Sequence, residues 1–323
     1  MKQKIISIGI IAVLLGLGGY KYYDYKHPSA TVTTTTQTSS GTTETKSSEA
    51  TTTRTNNEQI VVDRPINGTI KGVVEVGASG FNSFVVNIDK EKNWELVTKE
   101  FGESLAYEGF ASTDDVKKGL KSYLAKMFEK GVAGRNAHFV ISSGALKNPK
   151  TELIAKAIEQ MGYVVNRVSA EQEGKFALKA LLPKAYRGNS FVVDIGSGNT
   201  KVSYYDGLAV KSIEGPGAKY YQNSITDIDA YNQIKTVIAK VPTALRVNFF
   251  IIAGVPFKMA KESTSGEERF TYLEAPDDYS AGDDVKMKSG INIYKAIYDV
   301  SSDTKYIFDW DANFTIGFLL NLN

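Results

Sequence analysis

The chain has 323 residues, of which 42% are hydrophobic, enough for a buried core and too many for a wholly disordered protein. Its 38 basic residues against 36 acidic ones leave a net charge of +2, too small a surplus for a protein that binds a nucleic-acid duplex. The lack of cysteine excludes disulfides and thiolate chemistry, and two histidines are too few for a histidine-rich zinc site. Catalysis would therefore rest on carboxylates, hydroxyls, backbone amides, Lys, Arg or a hard metal ion.

The first 27 residues have the pattern of a membrane anchor. Lys2 and Lys4 precede an apolar run over residues 5–19, and tyrosines follow that run. A helix that continues through residue 23 is about 28 Å long, close to the ~30 Å of a hydrocarbon core. We predict an uncleaved anchor over residues 1–27, while a cleaved signal peptide and a soluble buried helix remain open as alternatives.

Residues 28–66 are predicted to form a disordered linker. Between residues 31 and 55, 17 of 25 residues are Thr or Ser, and such a segment cannot offset its ordering entropy by burial. An anchor followed by a tether of this kind favours display of the next domain outside the cytoplasm. The lysines that flank the apolar run on both sides leave the cytoplasmic orientation open.

Residues 67–188 alternate strand and helix patterns, which indicates a first α/β lobe. A strand, a glycine turn and a second strand are predicted over residues 72–88. Ser112 is predicted to cap a helix whose apolar residues recur at three- and four-residue spacing until Lys130-Gly131. The other predicted elements of this lobe are a strand at 139–141, a helix at 151–161, a strand at 163–168 and a helix at 169–182.

Residues 189–323 repeat this rhythm and are predicted to form a second lobe. A strand at 191–195, a turn at 196–199 and a strand at 201–205 lead into a hairpin turn at Asp206-Gly207. The remaining predicted elements are a helix at 228–239, a buried strand at 249–252 and a helix at 291–299.

One motif occurs in both lobes: an acidic residue near the end of a strand, followed by x-Gly and a turn of small residues. The copies are Glu75-Val-Gly and Asp194-Ile-Gly. Such a turn directs backbone N–H groups at an anion, and the carboxylate lies close enough to hold Mg²⁺ or to orient a water molecule. A single copy is more often a plain turn, but two copies in matching halves predict a cleft that clamps a phosphate chain from both sides.

The residues around these motifs resemble the phosphate loops of the actin and hexokinase superfamily. Val74–Phe81 is similar to the first loop, and Val193–Val202 is similar to the second. Within the superfamily, the exopolyphosphatase/guanosine pentaphosphate phosphatase family fits best. The segments that resemble this family, in its order, are Ser143–Lys147, Val168–Lys175, Ser289–Ile291 and Phe314–Leu320. The resemblance implies an actin-like (ribonuclease H-like) duplicated two-lobed α/β fold.

The resemblance also implies roles for individual residues. Glu173 corresponds to the general base that activates the attacking water, Asp194 to an acid that holds a metal ion or water, and Lys147 to a catalytic arginine. Glu75 and Asp194 would hold Mg²⁺. The residues that would bind phosphate are Gly77, Ser79, Gly80, Gly196, Ser197, Gly198, Asn199 and Thr200.

Several positions depart from the family pattern. Glu75 replaces Asp, and Lys147 replaces Arg, which exchanges a bidentate phosphate fork for a point charge. Lys201 replaces Glu. It would either add positive charge to a bound phosphate or face solvent as an ordinary strand lysine. These changes indicate that the substrate differs or that catalysis has weakened.

The resulting expectation is a Mg²⁺-dependent hydrolase that acts on polyphosphate or guanosine pentaphosphate. Two alternatives remain open: a catalytically weak sensor of phosphate or nucleotide, and an actin-like nucleotide-binding structural protein. The expected partners are a phosphate-chain or nucleotide ligand and, through the N-terminal helix, a membrane; a homodimer is left open.

Overall fold

The structure, a computed structural model, describes residues 59–78, 80–102, 112–264, 268–301 and 304–322. The predicted anchor, residues 28–58 of the predicted linker and Ser79 lie outside these residues. Within the part that is described, no helix is both long enough and apolar enough to cross a membrane.

The first sheet has five strands in the order β3-β2-β1-β4-β5. Its first three strands form an antiparallel meander, and the last two lie parallel to the central strand β1. The bounds are β1 Thr69–Gly77, β2 Gly80–Ile88, β3 Trp94–Gly102, β4 Ala137–Ile141 and β5 Val165–Arg167.

The second sheet repeats this topology. Strands β6, β7 and β8 form an antiparallel meander, β9 and β11 run parallel to β6, and the short β10 is added antiparallel at the edge. The bounds are β6 Ser190–Ile195, β7 Asn199–Asp206, β8 Ala209–Pro216, β9 Asn248–Ile252, β10 Phe270–Tyr272 and β11 Lys305–Asp309. The two sheets match in strand order, as the predicted two-lobed α/β fold requires, while the lobe boundary at 188/189 stays a prediction.

Seven helices are described. They are α1 Thr113–Glu129, α2 Thr151–Gln160, α3 Ala170–Leu181, α4 Asp227–Ala239, α5 Gly254–Ser263, α6 Val285–Tyr298 and α7 Phe314–Asn321. Helix α1 begins as predicted, because Ser112 and Asp115 form a reciprocal capping box. Ser169 and Gln172 cap α3 in the same way.

The sequence prediction was incomplete at several places. It omitted β3, α5, β10 and β11, and it started α6 near residue 291. Helix α6 begins six residues earlier because the Asp284 side chain accepts a hydrogen bond from the backbone N–H of Met287. The edge strand β10 has three residues, too few for a periodic pattern.

Helix α3 contacts the second sheet on one side and α7 on the other. Glycine permits both contacts. A Cβ atom on Gly174 would lie 1.9 Å from Oγ of Ser212, and one on Gly317 would lie 1.8 Å from the backbone oxygen of Phe176. Because α7 also packs on β1 and β2, it ties the end of the chain to the first sheet. The position of α3, and of every side chain in its first turn, depends on these close approaches.

We expect Gly317→Ala to destabilise the protein by roughly 1–3 kcal/mol, the usual cost of overpacking, because the new methyl group meets backbone that cannot rotate away. Gly134→Ala is the matched control, since a Cβ atom there would have no heavy atom within 4 Å. Urea unfolding followed by circular dichroism measures both variants. Equal midpoints for Gly317→Ala and the wild type would show that α3 and α7 do not require this spacing.

Candidate active site

Each sheet presents an acidic side chain near the carboxyl end of a central strand. Glu75 on β1 lies opposite Asn82 of β2, and Asp194 on β6 lies opposite Lys201 of β7. The two hairpins have the same register, since each partner follows its acid by seven residues. The repeated acid-x-Gly motifs therefore occupy equivalent positions in the two sheets.

Glu75 is buried and accepts hydrogen bonds from two amide side chains. Nδ2 of Asn82 is 3.0 Å from Oε2 of Glu75, and Nδ2 of Asn313, the capping residue of α7, is 3.1 Å from the same oxygen. Burial raises the pKa of Glu75 to about 7; the Asn82 hydrogen bond opposes this rise, and the charges of Asp194 and Glu173 add to it. Near neutral pH, Glu75 is therefore divided between its protonated and ionised forms.

Glu173 lies in the first turn of α3, and its side chain is only 1% exposed. The backbone N–H of Ser143 donates a hydrogen bond to Oε1, while Oε2 forms an ion pair with Nζ of Lys201 at 2.5 Å. An acid that served only the helix dipole would face solvent, as Glu171 does in the same turn with 64% of its side chain exposed. Glu173 instead points into the protein, toward the two loops.

Lys201 joins the second strand-end acid to Glu173. Its Nζ lies 3.5 Å from Oδ2 of Asp194 and 2.5 Å from Oε2 of Glu173, and its side chain is 6% exposed. The alternative of a solvent-facing strand lysine is therefore wrong. Burial by itself lowers the pKa of Lys201, but Asp194 and Glu173 outweigh it and raise the pKa above its ordinary value. The amine thus stays protonated across the physiological range.

Asp194 is buried beside Lys201, and burial shifts the pKa of an acid in the opposite direction from that of an amine. Burial raises the pKa of Asp194, while the positive charge of Lys201 lowers it and the negative charge of Glu173 raises it further. The ammonium is therefore what favours the ionised form of this acid in an otherwise dry environment.

The second predicted phosphate loop is held in a tight shape. A Cβ atom on Gly217 would lie 2.3 Å from the backbone nitrogen of Asn199, so this neighbouring segment packs directly against the loop. The backbone N–H groups of Ala218 and Lys219 donate to the carbonyl oxygens of Gly196 and Ser197, each over 2.9 Å. Residues 196–198 are partly exposed, so their backbone is the accessible part of the loop.

Two predicted phosphate ligands have other partners. Nδ2 of Asn199 donates to Oγ of Ser143 over 3.2 Å and to Oε1 of Glu214 over 2.9 Å. Oγ1 of Thr200 donates to the backbone oxygen of Pro216 over 2.7 Å. Both side chains are buried, so they shape the loop, and the partly exposed residues 196–198 are its accessible part.

The two loops meet at Gly144. A Cβ atom on Gly144 would lie 3.1 Å from Cβ of Ala78, and one on Gly198 would lie 3.4 Å from Cα of Gly144. Gly77 and Gly80, the predicted first-loop glycines in the described part, are buried at this turn, and Gly80 has a φ of 143°. The segment from Ser143 onward therefore lies between the loops and supplies the N–H group that contacts Glu173.

Lys147 lies on an exposed turn that follows Gly144, and its side chain forms no hydrogen bond or ion pair with the described residues. Its predicted catalytic role stays a prediction. The contacts that Asn82, Ser143 and Asn313 make with the two glutamates were not predicted from the sequence. Asn82 had a usable signal, because it follows Glu75 by the same interval that separates Lys201 from Asp194.

The side chains beside the two loops do not fit a divalent cation. Oε2 of Glu75 already accepts two amide hydrogen bonds, and the Lys201 ammonium lies within 3.5 Å of both Asp194 and Glu173. Among the residues that the structure describes, no three His, Asp or Glu side chains are grouped as ligands for one metal ion. The ammonium between Asp194 and Glu173 therefore opposes the predicted binding of Mg²⁺ by Glu75 and Asp194.

No protein-family model and no curated protein matches the chain. Solved structures do. A Ppx/GppA family member from Aquifex aeolicus is 17% identical with a TM-score of 0.57, over 78% of this chain and 97% of that one. An exopolyphosphatase from Cytophaga hutchinsonii is 13% identical with a TM-score of 0.55, over 79% of this chain and 99% of that one. The chain has the exopolyphosphatase fold. This fold confirms the resemblance inferred from the motifs, and the low identities agree with a divergent sequence.

The raised pKa of Glu75 predicts how stability depends on pH. Folded Glu75 keeps its proton up to a pKa of about 7, whereas the unfolded chain loses it near the ordinary glutamate pKa of 4.5. The folded state thus binds more protons between these values, and the free energy of unfolding should fall as pH rises through them. We expect Glu75→Gln to flatten this slope and Glu159→Gln, an exposed control, to leave it unchanged. Urea titrations from pH 4.5 to 8 measure the slopes; an unaltered slope in Glu75→Gln contradicts the assignment.

Proposed function

We propose that the chain hydrolyses a phosphoanhydride, with the terminal phosphate of polyphosphate or guanosine pentaphosphate as the reacting group. The observation that carries this proposal is the buried carboxylate of Glu173, which points to the meeting point of two glycine loops at Gly144. The exopolyphosphatase fold supports the same reaction class, since the Cytophaga hutchinsonii structure is that of an exopolyphosphatase.

In this proposal the backbone N–H groups of residues 196–198 bind the phosphate oxygens. Water attacks the terminal phosphorus, the bond from that phosphorus to the bridging oxygen breaks, and its electron pair leaves with the shortened chain. The proton of the water goes to Glu173. An ionised carboxylate has about four acceptor sites, so the contacts with Ser143 and Lys201 leave room for the attacking water.

The resemblance also carries the expectation of Mg²⁺. Because the Lys201 ammonium occupies the position between the carboxylates, the proposed reaction uses no divalent cation. The developing negative charge would be met by the loop amides and by the Lys201 ammonium, both fixed in place before the reaction.

A second function, a phosphate or nucleotide sensor that turns over slowly, is favoured by the ion pair between Glu173 and Lys201. The Lys201 ammonium lies against Oε2 of Glu173 and competes with an attacking water molecule for that oxygen. Ligand binding without phosphate release would identify the sensor.

The anchor at residues 1–27, an extracytoplasmic position of the folded part and a homodimer also stand as proposals. An outward-facing domain would meet little ATP, which makes polyphosphate or another extracellular phosphoester the more suitable ligand. The side of the membrane on which the domain lies would therefore determine which of these substrates it meets.

We expect the full chain to release phosphate from at least one of polyphosphate, ATP, GTP and guanosine pentaphosphate. Glu173→Gln should lower kcat by roughly 10²–10⁴ and leave the affinity for phosphate nearly unchanged, since it removes the proton acceptor but keeps the shape. Glu171→Gln is the control from the same helical turn, exposed and paired with Lys175, and should retain full kcat. A wild-type kcat in Glu173→Gln would exclude Glu173 as the base.

A further inference from the structure

Lys201 stands where the exopolyphosphatase resemblance has a glutamate. In the first hairpin the equivalent position is Asn82, which donates a hydrogen bond to Glu75. Both hairpins therefore place a donor, and not a second acid, opposite the strand-end carboxylate. In the second hairpin this donor carries a full positive charge.

The ammonium of Lys201 is held by the carboxylates that would otherwise serve a metal ion. Nζ is 2.5 Å from Glu173 and 3.5 Å from Asp194, and the negative charge of Glu75 also acts on it. All of these groups are buried, so their mutual attraction is little screened by water. A divalent ion would need the same oxygens and would be repelled by the ammonium among them.

The same ammonium lies directly beneath the second phosphate loop. A Cβ atom on Gly196 would be 3.2 Å from Nζ of Lys201, so the loop backbone rests on the end of this side chain. An anion bound by the N–H groups of residues 196–198 would lie close to a compact charge that has three hydrogen-bond donors. Two carboxylates orient that charge before any ligand arrives.

We infer that the Lys201 ammonium replaces the divalent metal ion in this cleft, so that the chain binds its phosphoanhydride ligand without a divalent cation. The identity of the ligand rests on the proposed function. The replacement of the metal does not, because it can be measured as metal binding whether or not the chain turns over any substrate.

The first test is a titration of the full chain with Mn²⁺ in the presence of inorganic phosphate, followed by the electron paramagnetic resonance signal of free Mn²⁺. We expect the wild type and the control Lys211→Glu, at an exposed position on β8, to bind no Mn²⁺ in the cleft. Lys201→Glu should bind one Mn²⁺ per chain, because it exchanges the ammonium for a further carboxylate.

Two outcomes overturn the inference. In the first, the wild type binds one Mn²⁺ per chain, and Asp194→Asn abolishes this binding. In the second, the Lys201→Glu variant folds but does not bind Mn²⁺. Circular dichroism establishes whether Lys201→Glu folds. If it does not fold, the wild-type titration and Lys201→Gln decide, since removal of the charge alone should allow Mn²⁺ to bind more tightly than in the wild type.

The second test measures tripolyphosphate binding by calorimetry in EDTA. The wild type should bind, Lys201→Gln should lose at least about tenfold in affinity because a charge-assisted hydrogen bond is lost, and the control Lys211→Gln should stay within twofold of the wild type. Binding by the wild type that requires Mg²⁺ contradicts the inference. Absence of phosphate release from every substrate would defeat the proposed hydrolase and leave the Mn²⁺ result standing.

Discussion

The close approach of helix α3 to its neighbours is the constraint on which the candidate active site depends. Gly174 brings the helix against the second sheet, and Gly317 brings α7 against the backbone of the helix at Phe176. Side chains from α3, α7 and both sheets then share one apolar cluster, which includes Leu178 and Val192. With α3 held on both sides, its capped first turn presents Glu173 to the loops of both sheets. A shift of this helix by the width of a methyl group would move the carboxylate away from Ser143 and Lys201.

The packing around helix α3 also concentrates buried charge in one place. Glu75, Glu173 and Asp194 are all nearly inaccessible to solvent, and transferring ionised carboxylates from water is costly unless they are paired. Different partners offset this cost in the two sheets. Amide groups donate hydrogen bonds to Glu75 in the first, and an ammonium pairs with Asp194 in the second. The two halves thus differ in the chemistry of one equivalent position, Asn82 in the first and Lys201 in the second, while their strand register is the same.

Much of the fold could be predicted because its signals are local. The capping box at Ser112 lies within four residues, and the strands that carry the acid-x-Gly motifs lie within one short run each. The hairpin turn also depends on a short signal, although its two residues are Gly207-Leu208, one position beyond the predicted Asp206-Gly207. The elements that escaped prediction are those whose formation depends on distant partners. Strand β10 exists because it pairs with β11 at the sheet edge, and α6 extends back to a cap that its apolar pattern does not reveal.

The features of the candidate site also fall into two groups, those with a local signal in the sequence and those that depend on distant partners. The sequence by itself determined the two strand-end acids, the glycine loops and a helix that begins just before Glu173, because residue types and short spacings specify them. Only the tertiary structure decided that Lys201 is buried between two carboxylates, that Asn313 contacts Glu75 across 238 residues of chain, and that Lys147 stays exposed. The physical reason is that burial and ion pairing are properties of the packed whole. A lysine, an asparagine and a glutamate have no fixed role until helix α3 and the two sheets bring them together.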